Sequence, residues 1–475
     1  MIKKRLLTVL LMGGIIATGA YAQAEKGDSD DMTKKTHELN PVVVTGTGTH
    51  QRLKNTPSPV SVITANEIKR AGITDFQQAL TMMVPSLSFR PNAMGSYLMM
   101  NGLSNEHVMI LVNGRKVTGD ITGNIDLNQI DMTRVKRIEV LNGAASSLYG
   151  SDAIGGVINI ITNEPKDVVA FSSNSSYTRK NQFSQGLNLD IAQGKIGSYT
   201  SYKYDHSDGW QNSRLTEDGE DIIETIAPLS LGYSSNNFSQ KFTYDATDQL
   251  SFYANGGYYN RGLERPVERE DITGGSKYNT AYEGYNWGAG AKYKLSKRNV
   301  IQFDYSGNNY ASRYKYLIEN SGYLPGQYAL TKLQKFHDAE LKGIFGFTTN
   351  STTVFGADYR CEVLRRPDSD LDKSVYTASA YGQHEVKLWN HLTGVAGVRY
   401  DHHEQAGGRF TPKVAAMYNI GNFNVRATYA AGFRAPGIDE LYYHMFKKTM
   451  GTRATISLGD ENLDPERSNY YSINM

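Results

Sequence analysis

Histidine, tyrosine, arginine and clustered carboxylates are the side chains of this 475-residue chain with chemistry to offer. They form no H-E-x-x-H, G-x-S-x-G or Walker sequence, so nothing in their spacing points to an enzyme. Two histidines stand out as neutral nitrogen donors for a metal centre. His107 follows the polar stretch Asn101-Gly102-Leu103-Ser104-Asn105-Glu106, and His444 lies in a long segment with Arg434, Tyr442, Tyr443 and Lys447-Lys448. A guanidinium there offers a fork of donors suited to carboxylates. The plainer role for a lone histidine is a hydrogen-bonded structural residue. His402-His403 is a weaker pair, because adjacent residues on a strand point to opposite faces. Glu217-Asp218-Gly219-Glu220-Asp221 has the oxygens a calcium ion takes, although an acidic loop tip is more often simply solvated. Cys361 is the sole cysteine, which leaves no disulfide.

The elements that position these residues are mostly strands. From Val168 onward apolar and polar residues alternate: Ile301, Phe303 and Tyr305 with Gln302, Asp304 and Ser306; Tyr376, Ala378 and Ala380 with Thr377, Ser379 and Tyr381; Phe423, Val425, Ala427 and Tyr429 with Asn424, Arg426 and Thr428. Their connections are sorted by length. Short links at Gln193–Gly197, Ala246–Gln249, Leu295–Asn299, Thr348–Ser351, Leu388–His391 and Ile420–Asn422 take turns with mostly longer ones such as Gly209–Ser235 and Phe433–Ser468. That sorting is the pattern of a transmembrane barrel with short turns on one side and long loops on the other. Of the 32 tyrosines, 29 follow residue 165, which suits interfacial girdles. About fourteen strands are expected, the last beginning near Asn469.

The N-terminal part reads differently. Lys3, Lys4 and Arg5, an apolar run to Ala17 and Ala20-Tyr21-Ala22 make a secretory signal over residues 1–22. It holds three of the 50 basic residues and none of the 48 acidic ones, so the mature chain is near neutral and implies no nucleic-acid partner. No other apolar run reaches the 18 residues of a membrane helix. Residues 23–50 form a polar tail containing an extended, β-branched island, Leu39-Asn40-Pro41-Val42-Val43-Val44-Thr45-Gly46, which reads as a free strand able to add to another protein's sheet edge. Residues 51–165 read as a compact mixed α+β domain. A strand runs over Pro59–Ile63, a helix capped by Thr64 or Asn66 reaches Arg70, and a helix from Thr74 reaches Met82. Strands at Tyr97–Met100 and His107–Val112 follow, and Asn113-Gly114 signals a tight turn. The closing stretch Val135–Asn163, VKRIEVLNGAASSLYGSDAIGGVINIITN, reads strand, small-residue turn, glycine hinge, strand.

As a string, Val135–Asn163 closely resembles the end of the plug domain of TonB-dependent outer-membrane receptors. The resemblance implies a plugged antiparallel transmembrane β-barrel with an N-terminal mixed plug. Pro41, Val42, Val43, Val44, Thr45 and Gly46 then look like the TonB box, pulled by the inner-membrane TonB protein with its energising complex. Where family plugs often carry arginine-glycine, this chain has Asn142-Gly143. Gly432-Phe433-Arg434-Ala435-Pro436, Glu440-Leu441-Tyr442 and Glu461-Asn462-Leu463-Asp464-Pro465-Glu466 look like the paired boxes of many members, with Glu-Asn-Leu in place of the common asparagine-proline-asparagine-leucine. A plugged transporter has about 22 strands, so about fourteen, ending on a non-aromatic Met475, imply an incomplete, C-terminally truncated barrel.

Haem receptors of the family carry a histidine between the boxes, as His444 is here, and imidazole suits haem iron. The expected function is therefore TonB-coupled import of an iron chelate across the outer membrane, with no intrinsic cofactor. Haem leads as cargo, held by His107 and His444 with Arg434 for its propionates. A ferric siderophore would use Tyr442, Tyr443 and the Arg261–Arg269 loop instead, and cobalamin is a further alternative. Passive surface binding, as by a phage or bacteriocin receptor, and a non-functional truncated product are readings of other classes.

Overall fold

The structure, a computed structural model, describes residues 41–475 except 74, 93–94, 122–123, 180, 210–215, 218–219, 222–229, 268–274, 390, 422 and 449–453. The expected leader and most of the tail lie outside the described residues. The chain divides into two compact units, Met1–Pro41 and Val42–Met475, and the elements below belong to the second.

A five-stranded sheet forms the centre of the plug. In chain order its strands are β1 (Val60–Thr64), β2 (Val108–Val112), β3 (Arg115–Lys116), β4 (Val135–Asn142) and β5 (Gly156–Thr162), and in space they run β1-β4-β5-β2-β3. Only β5 and β2 pair in parallel. β2 and β3 are joined at Asn113-Gly114, both with positive φ, as the sequence predicts for a two-residue hairpin turn. Both faces are covered, which explains the unbroken apolar run of β2 and the mostly apolar one of β5. Ile138, Val140, Ile158 and Ile160 pack with Leu80 and Ile110 on one side, and Leu141 and Val157 with Met109 and Ala153 on the other. Each such burial is worth about 1.5–3 kcal/mol.

Helix α1 (Ala65–Arg70) starts at a capping box between Thr64 and Glu67, one of the two caps expected. α2 (Phe76–Met83) begins at Asp75, whose side chain accepts from the Gln78 N–H. The expected cap at Thr74 lies outside the described residues. β2 starts one residue later than expected, because His107 closes a short 3₁₀ turn. α3 (Ser146–Tyr149) is a single turn, ended by Gly150 at φ 77°.

Fourteen antiparallel strands follow, each hydrogen-bonded to its sequence neighbour in the sheet. They are β6 (Ala170–Thr178), β7 (Gln182–Gln193), β8 (Ile196–Ser207), β9 (Gly232–Asp245) and β10 (Leu250–Glu264). Next come β11 (Tyr278–Lys294), β12 (Asn299–Tyr316), β13 (Tyr328–Thr348), β14 (Ser351–Arg366) and β15 (Leu371–Leu388). β16 (Leu392–His403), β17 (Gly407–Ile420), β18 (Phe423–Arg434) and β19 (Glu466–Asn474) complete the sheet. Among the described residues no ladder joins β6 to β19, so the barrel is incomplete. Alternation sorts the two faces as expected. Phe303, Phe355, Phe410 and Tyr418 are exposed outward, while Asp358, Arg399, Asp401 and Lys413 are buried inward.

The plug is held to this inner wall by charge. Arg399, wholly buried, pairs with Asp358 at 2.7 Å and Asp401 at 2.8 Å. Its remaining nitrogen donates to the Leu148 carbonyl, and Arg360 donates to the Tyr149 carbonyl at 3.1 Å. These are the orphan carbonyls at the end of α3. Further along, Asp126 of the plug accepts from the hydroxyls of Tyr259 (2.8 Å) and Tyr310 (2.9 Å), Asp131 accepts from Ser201, and Arg115 pairs with Asp304 at 2.9 Å. Gly143 needs its lack of a side chain: it sits at φ 85° against the Tyr470 ring, which a Cβ would meet at 2.2 Å. Asn142, in place of the family's arginine, accepts from the Ser86 hydroxyl instead.

Arg399→Met leaves the buried Asp401 without its cation and Asp358 with Arg360 alone. The expected cost is about 3–5 kcal/mol, read as a clear drop in the thermal midpoint of the plug. An unchanged midpoint would show that the wall arginine is incidental.

Candidate functional site

A cavity of about 830 Å³ opens where the plug, the barrel wall and helix α4 (Ile438–Tyr442) meet. The plug contributes Glu106, Lys116 and Asp152, the wall Tyr314, Phe336 and Arg360, and the α4 segment Arg434, Asp439 and Glu440. The wall residues follow from strand parity: Arg360, Glu362, Leu364 and Arg366 share the inward face of β14 with buried Asp358. Aromatic rings stack at its rim, Tyr278 on Tyr314 at 3.7 Å and Tyr316 on Tyr323 at 4.8 Å between centroids.

Carboxylates accompany the cations of this lining. Lys116 pairs with Asp152 at 2.8 Å and Glu362 at 3.3 Å. Lys332 and Arg366 share Asp439, at 2.8 and 3.2 Å. Arg434 pairs with Glu466 at 2.7 Å and Glu440 at 2.9 Å, with Glu106 at 3.6 Å. Arg434 is thus a strut between the outer segment, β19 and the plug, rather than a cation held open for a propionate. Sequence reasoning missed Lys116, Asp152, Arg360 and Arg366; their only signal was inward parity on a strand or the turn beside one.

The histidines do not form the expected pair. The Nδ1 of His107 meets the Ser104 hydroxyl at 2.9 Å and its Nε2 meets Glu466 at 2.6 Å, so both ring nitrogens are engaged. His444 is exposed, paired across a short ladder with Leu458, and is not among the residues lining the cavity. Tyr443 does line it, with the Arg366 guanidinium 3.7 Å from its ring centroid and Asp368 accepting from its hydroxyl. Burial pushes that hydroxyl's pKa up. Tyr442 lies outside the lining, with Lys373 over its ring at 4.8 Å. His402 and His403 point oppositely, as expected, and the buried His403 accepts from the amides of Gln405 and Ala406. Arg261 is taken by Asp126 and the Tyr233 ring, while Arg269 lies outside the described residues. Residues Thr216–Glu217 and Glu220–Asp221 pair as a hairpin. Its tip, Asp218-Gly219, lies outside the described residues.

The extended island is no free strand. Val42–Val43 pairs with Gln51–Arg52, and Val43, Thr45 and Gly46 are buried. Glu139, wholly buried in β4, accepts from the Val44 and Thr45 amides and the Thr45 hydroxyl at 2.9, 2.8 and 2.6 Å. The reason is distance in the chain: the acceptor lies 95 residues on from Val44, where no local pattern reveals it.

The Lys116–Asp152 pair carries a pH signature. Burial would raise the Asp152 carboxyl, but Lys116 and Ser151 hold it below the usual carboxylate range. Burial would likewise lower Lys116, but Asp152 and Glu362 hold it above the usual lysine value. A depressed carboxylate stabilises the fold above its unfolded pKa and loses that contribution as pH falls through the folded value; a raised lysine contributes fully below its unfolded pKa. Asp152→Asn should therefore cost about 1–3 kcal/mol near neutral pH. Thermal melts should show the gap to the parent closing below about pH 4; a gap that stays constant to lower pH would contradict the pairing.

Two family models match the chain: the TonB-dependent Receptor Plug Domain over residues 52–157 and the TonB dependent receptor-like, beta-barrel over residues 218–475. The Vitamin B12 transporter BtuB of Vibrio cholerae serotype O1 is 24% identical over 449 residues, covering 91% of this chain and 67% of the transporter. The Ferric enterobactin receptor PirA of Pseudomonas aeruginosa is 26% identical over 542 residues, covering 96% of this chain and 70% of the receptor. Among solved structures, the siderophore receptor PirA from Acinetobacter baumannii superposes with a TM-score of 0.71 at 16% identity, covering 87% of this chain and 67% of that one, a likeness of fold. A plug held by buried charge against the inner wall of an antiparallel barrel, matched by both family models, makes this chain a member of the TonB-dependent receptors.

Proposed function

We propose that the chain serves TonB-coupled import of a metal chelate of low net charge across the outer membrane, a ferric siderophore or a corrinoid. The observation that carries this reading is the cavity itself, in which Lys116, Lys332, Arg366 and Arg434 are each held by carboxylates beside stacked tyrosines. Such a lining offers hydrogen bonds and ring faces but little uncompensated positive charge, so a compact trianion gains less there than a charge-balanced chelate. Of the similar receptors, those named for vitamin B12 support the corrinoid class and those named for ferric enterobactin a ferric siderophore, although ferric enterobactin itself is the tris-catecholate trianion that this lining favours less. Haem is disfavoured because His107 has no ring nitrogen to spare and His444 stands away from the lining. Pro41–Gly46 is read as the segment on which TonB pulls, with the secretory leader delivering the chain to the periplasmic side.

Titration with cyanocobalamin, ferric enterobactin, a neutral ferric hydroxamate and haemin tests the cargo. The hydroxamate or the corrinoid should bind most tightly, and His107→Ala should leave any haemin Soret band unchanged. Deleting Pro41–Gly46 should reduce cellular uptake by at least about tenfold while binding persists, with the thermal midpoint checked because the deletion also removes the Val44 and Thr45 donors of buried Glu139. Uptake that survives the deletion would favour passive surface binding.

A further inference from the structure

The outward face of the barrel wall does not carry charge evenly. Phe336 is buried inward, so the side chain of exposed Lys335 leaves β13 on the lipid side. The same parity turns Arg365 outward between inward Leu364 and Arg366, and Arg313 and Lys315 outward beside the cavity-lining Tyr314. Along the whole outward rows of β12, β13 and β14 these are the charged residues other than histidine, and none is a carboxylate. The outward rows of β16, β17 and β18, from Leu392 to His402, Gly408 to Ile420 and Phe423 to Tyr429, hold no lysine or arginine. All four cations lie on the half of their strands away from the tight turns at 295–298 and 349–350. Below them come Tyr305, His337 and Tyr359 at one level, and then the exposed apolar band of Phe303, Leu341 and Phe355.

Register sorts the cations into two pairs. Lys335 stands opposite Val363, which makes Arg365 its diagonal neighbour, and Arg313 and Lys315 are alternate residues of β12. Their own carboxylates satisfy them only in part. Arg313 is bonded to Glu283 of β11 at 2.6 Å, and Arg365 reaches Asp372 of β15 only at 3.9 Å. Lys315 lies over the Tyr328 ring at 5.8 Å, and among the described residues Lys335 pairs with no carboxylate. Like charges gathered on a lipid-facing wall repel one another unless anions join them, and the level above an aromatic girdle is where headgroups lie. We propose that this patch is a docking surface for an outer-leaflet lipid whose headgroup carries at least two phosphates, one for each cation pair. Arginine forks and lysine point charges both suit phosphate oxygens, while Phe303, Leu341 and Phe355 receive the acyl chains. A zwitterionic headgroup brings its own cation and gains less, and a soluble polyanion makes no use of the apolar band. The inference stands apart from which cargo the cavity takes.

The test is lipid retention by the whole chain in maltoside micelles, exchanged with diphosphoryl lipid A or with phosphatidylcholine and then freed of unbound lipid by gel filtration. Diphosphoryl lipid A should be retained at least about tenfold more tightly than phosphatidylcholine. Lys335→Ala with Arg365→Ala should weaken its retention about tenfold, and Arg313→Gln with Lys315→Gln by a similar factor. The first pair replaces two exposed side chains, so the thermal midpoint should not move, and the second pair gives an independent reading. Lys335→Arg with Arg365→Lys keeps the charge and should keep retention. Lys294→Ala with Lys297→Ala removes as much charge from exposed positions at the opposite rim and should leave retention unchanged. An equal loss in that opposite-rim variant, or equal retention of phosphatidylcholine by the parent, overturns the docking surface. Displacement by excess inorganic phosphate at constant ionic strength assigns the patch to a free ion and overturns the lipid. Retention needs neither cargo nor transport, so a failed cargo titration and a failed lipid site are told apart.

Discussion

The carbonyls at the end of a four-residue helix, held by two arginines of the barrel wall, are the contact on which the rest of this molecule depends. A single helical turn leaves its last carbonyls without intrahelical partners, and in the plug these belong to Leu148 and Tyr149. Arg399 and Arg360 reach them from β16 and β14, themselves fixed by Asp358 and Asp401. Taking these charges out of water is costly unless every partner is present. The arrangement therefore specifies one seating of the plug rather than a range of them. The two regions of the proposed function extend from the same helix. Ser151 and Asp152 run on into the cavity, and the Tyr149 hydroxyl runs back to Thr45.

On the proposed reading, charge compensation also shapes what the cavity accepts. A receptor selects by what it leaves unpaired as much as by what it offers. Arg434, at the end of β18, ties α4, β19 and the plug together through Glu440, Glu466 and Glu106, and on the proposed reading a highly charged chelate would have to displace those carboxylates first. On the same reading, a chelate with its metal charge already neutralised would meet no such barrier and would gain from the rings of Tyr314, Tyr316 and Tyr443. The same pairing explains why Arg434 and His107, which look like ligand groups when read along the chain, act as structural ties.

What the sequence disclosed follows from the range of the interactions involved. Strand number, the short turns and the outward rows at Ile301–Tyr305 and Phe423–Tyr429 were legible, because each rests on a period of two within a few residues. The capping box at Thr64 and the Asn113-Gly114 turn were legible for the same reason. The engagement of His107 by Glu466, 359 residues away, was not. Nor was the docking of Thr45 on Glu139, since the β-branched run at Val42–Thr45 has the same local look whether exposed or buried. The cavity's cations were visible only as inward positions, with nothing along the chain to say that carboxylates already held them.

The salt dependence of affinity is the most direct measure of whether a charge-balanced chelate occupies this cavity. Paired charges in a half-enclosed site are screened far less than free ones facing solvent. The dissociation constant of the tightest-binding chelate should therefore change by less than about twofold between roughly 50 and 500 mM salt. A fall in affinity of tenfold or more over that range, with the anionic catecholate binding best at low salt, would contradict the account.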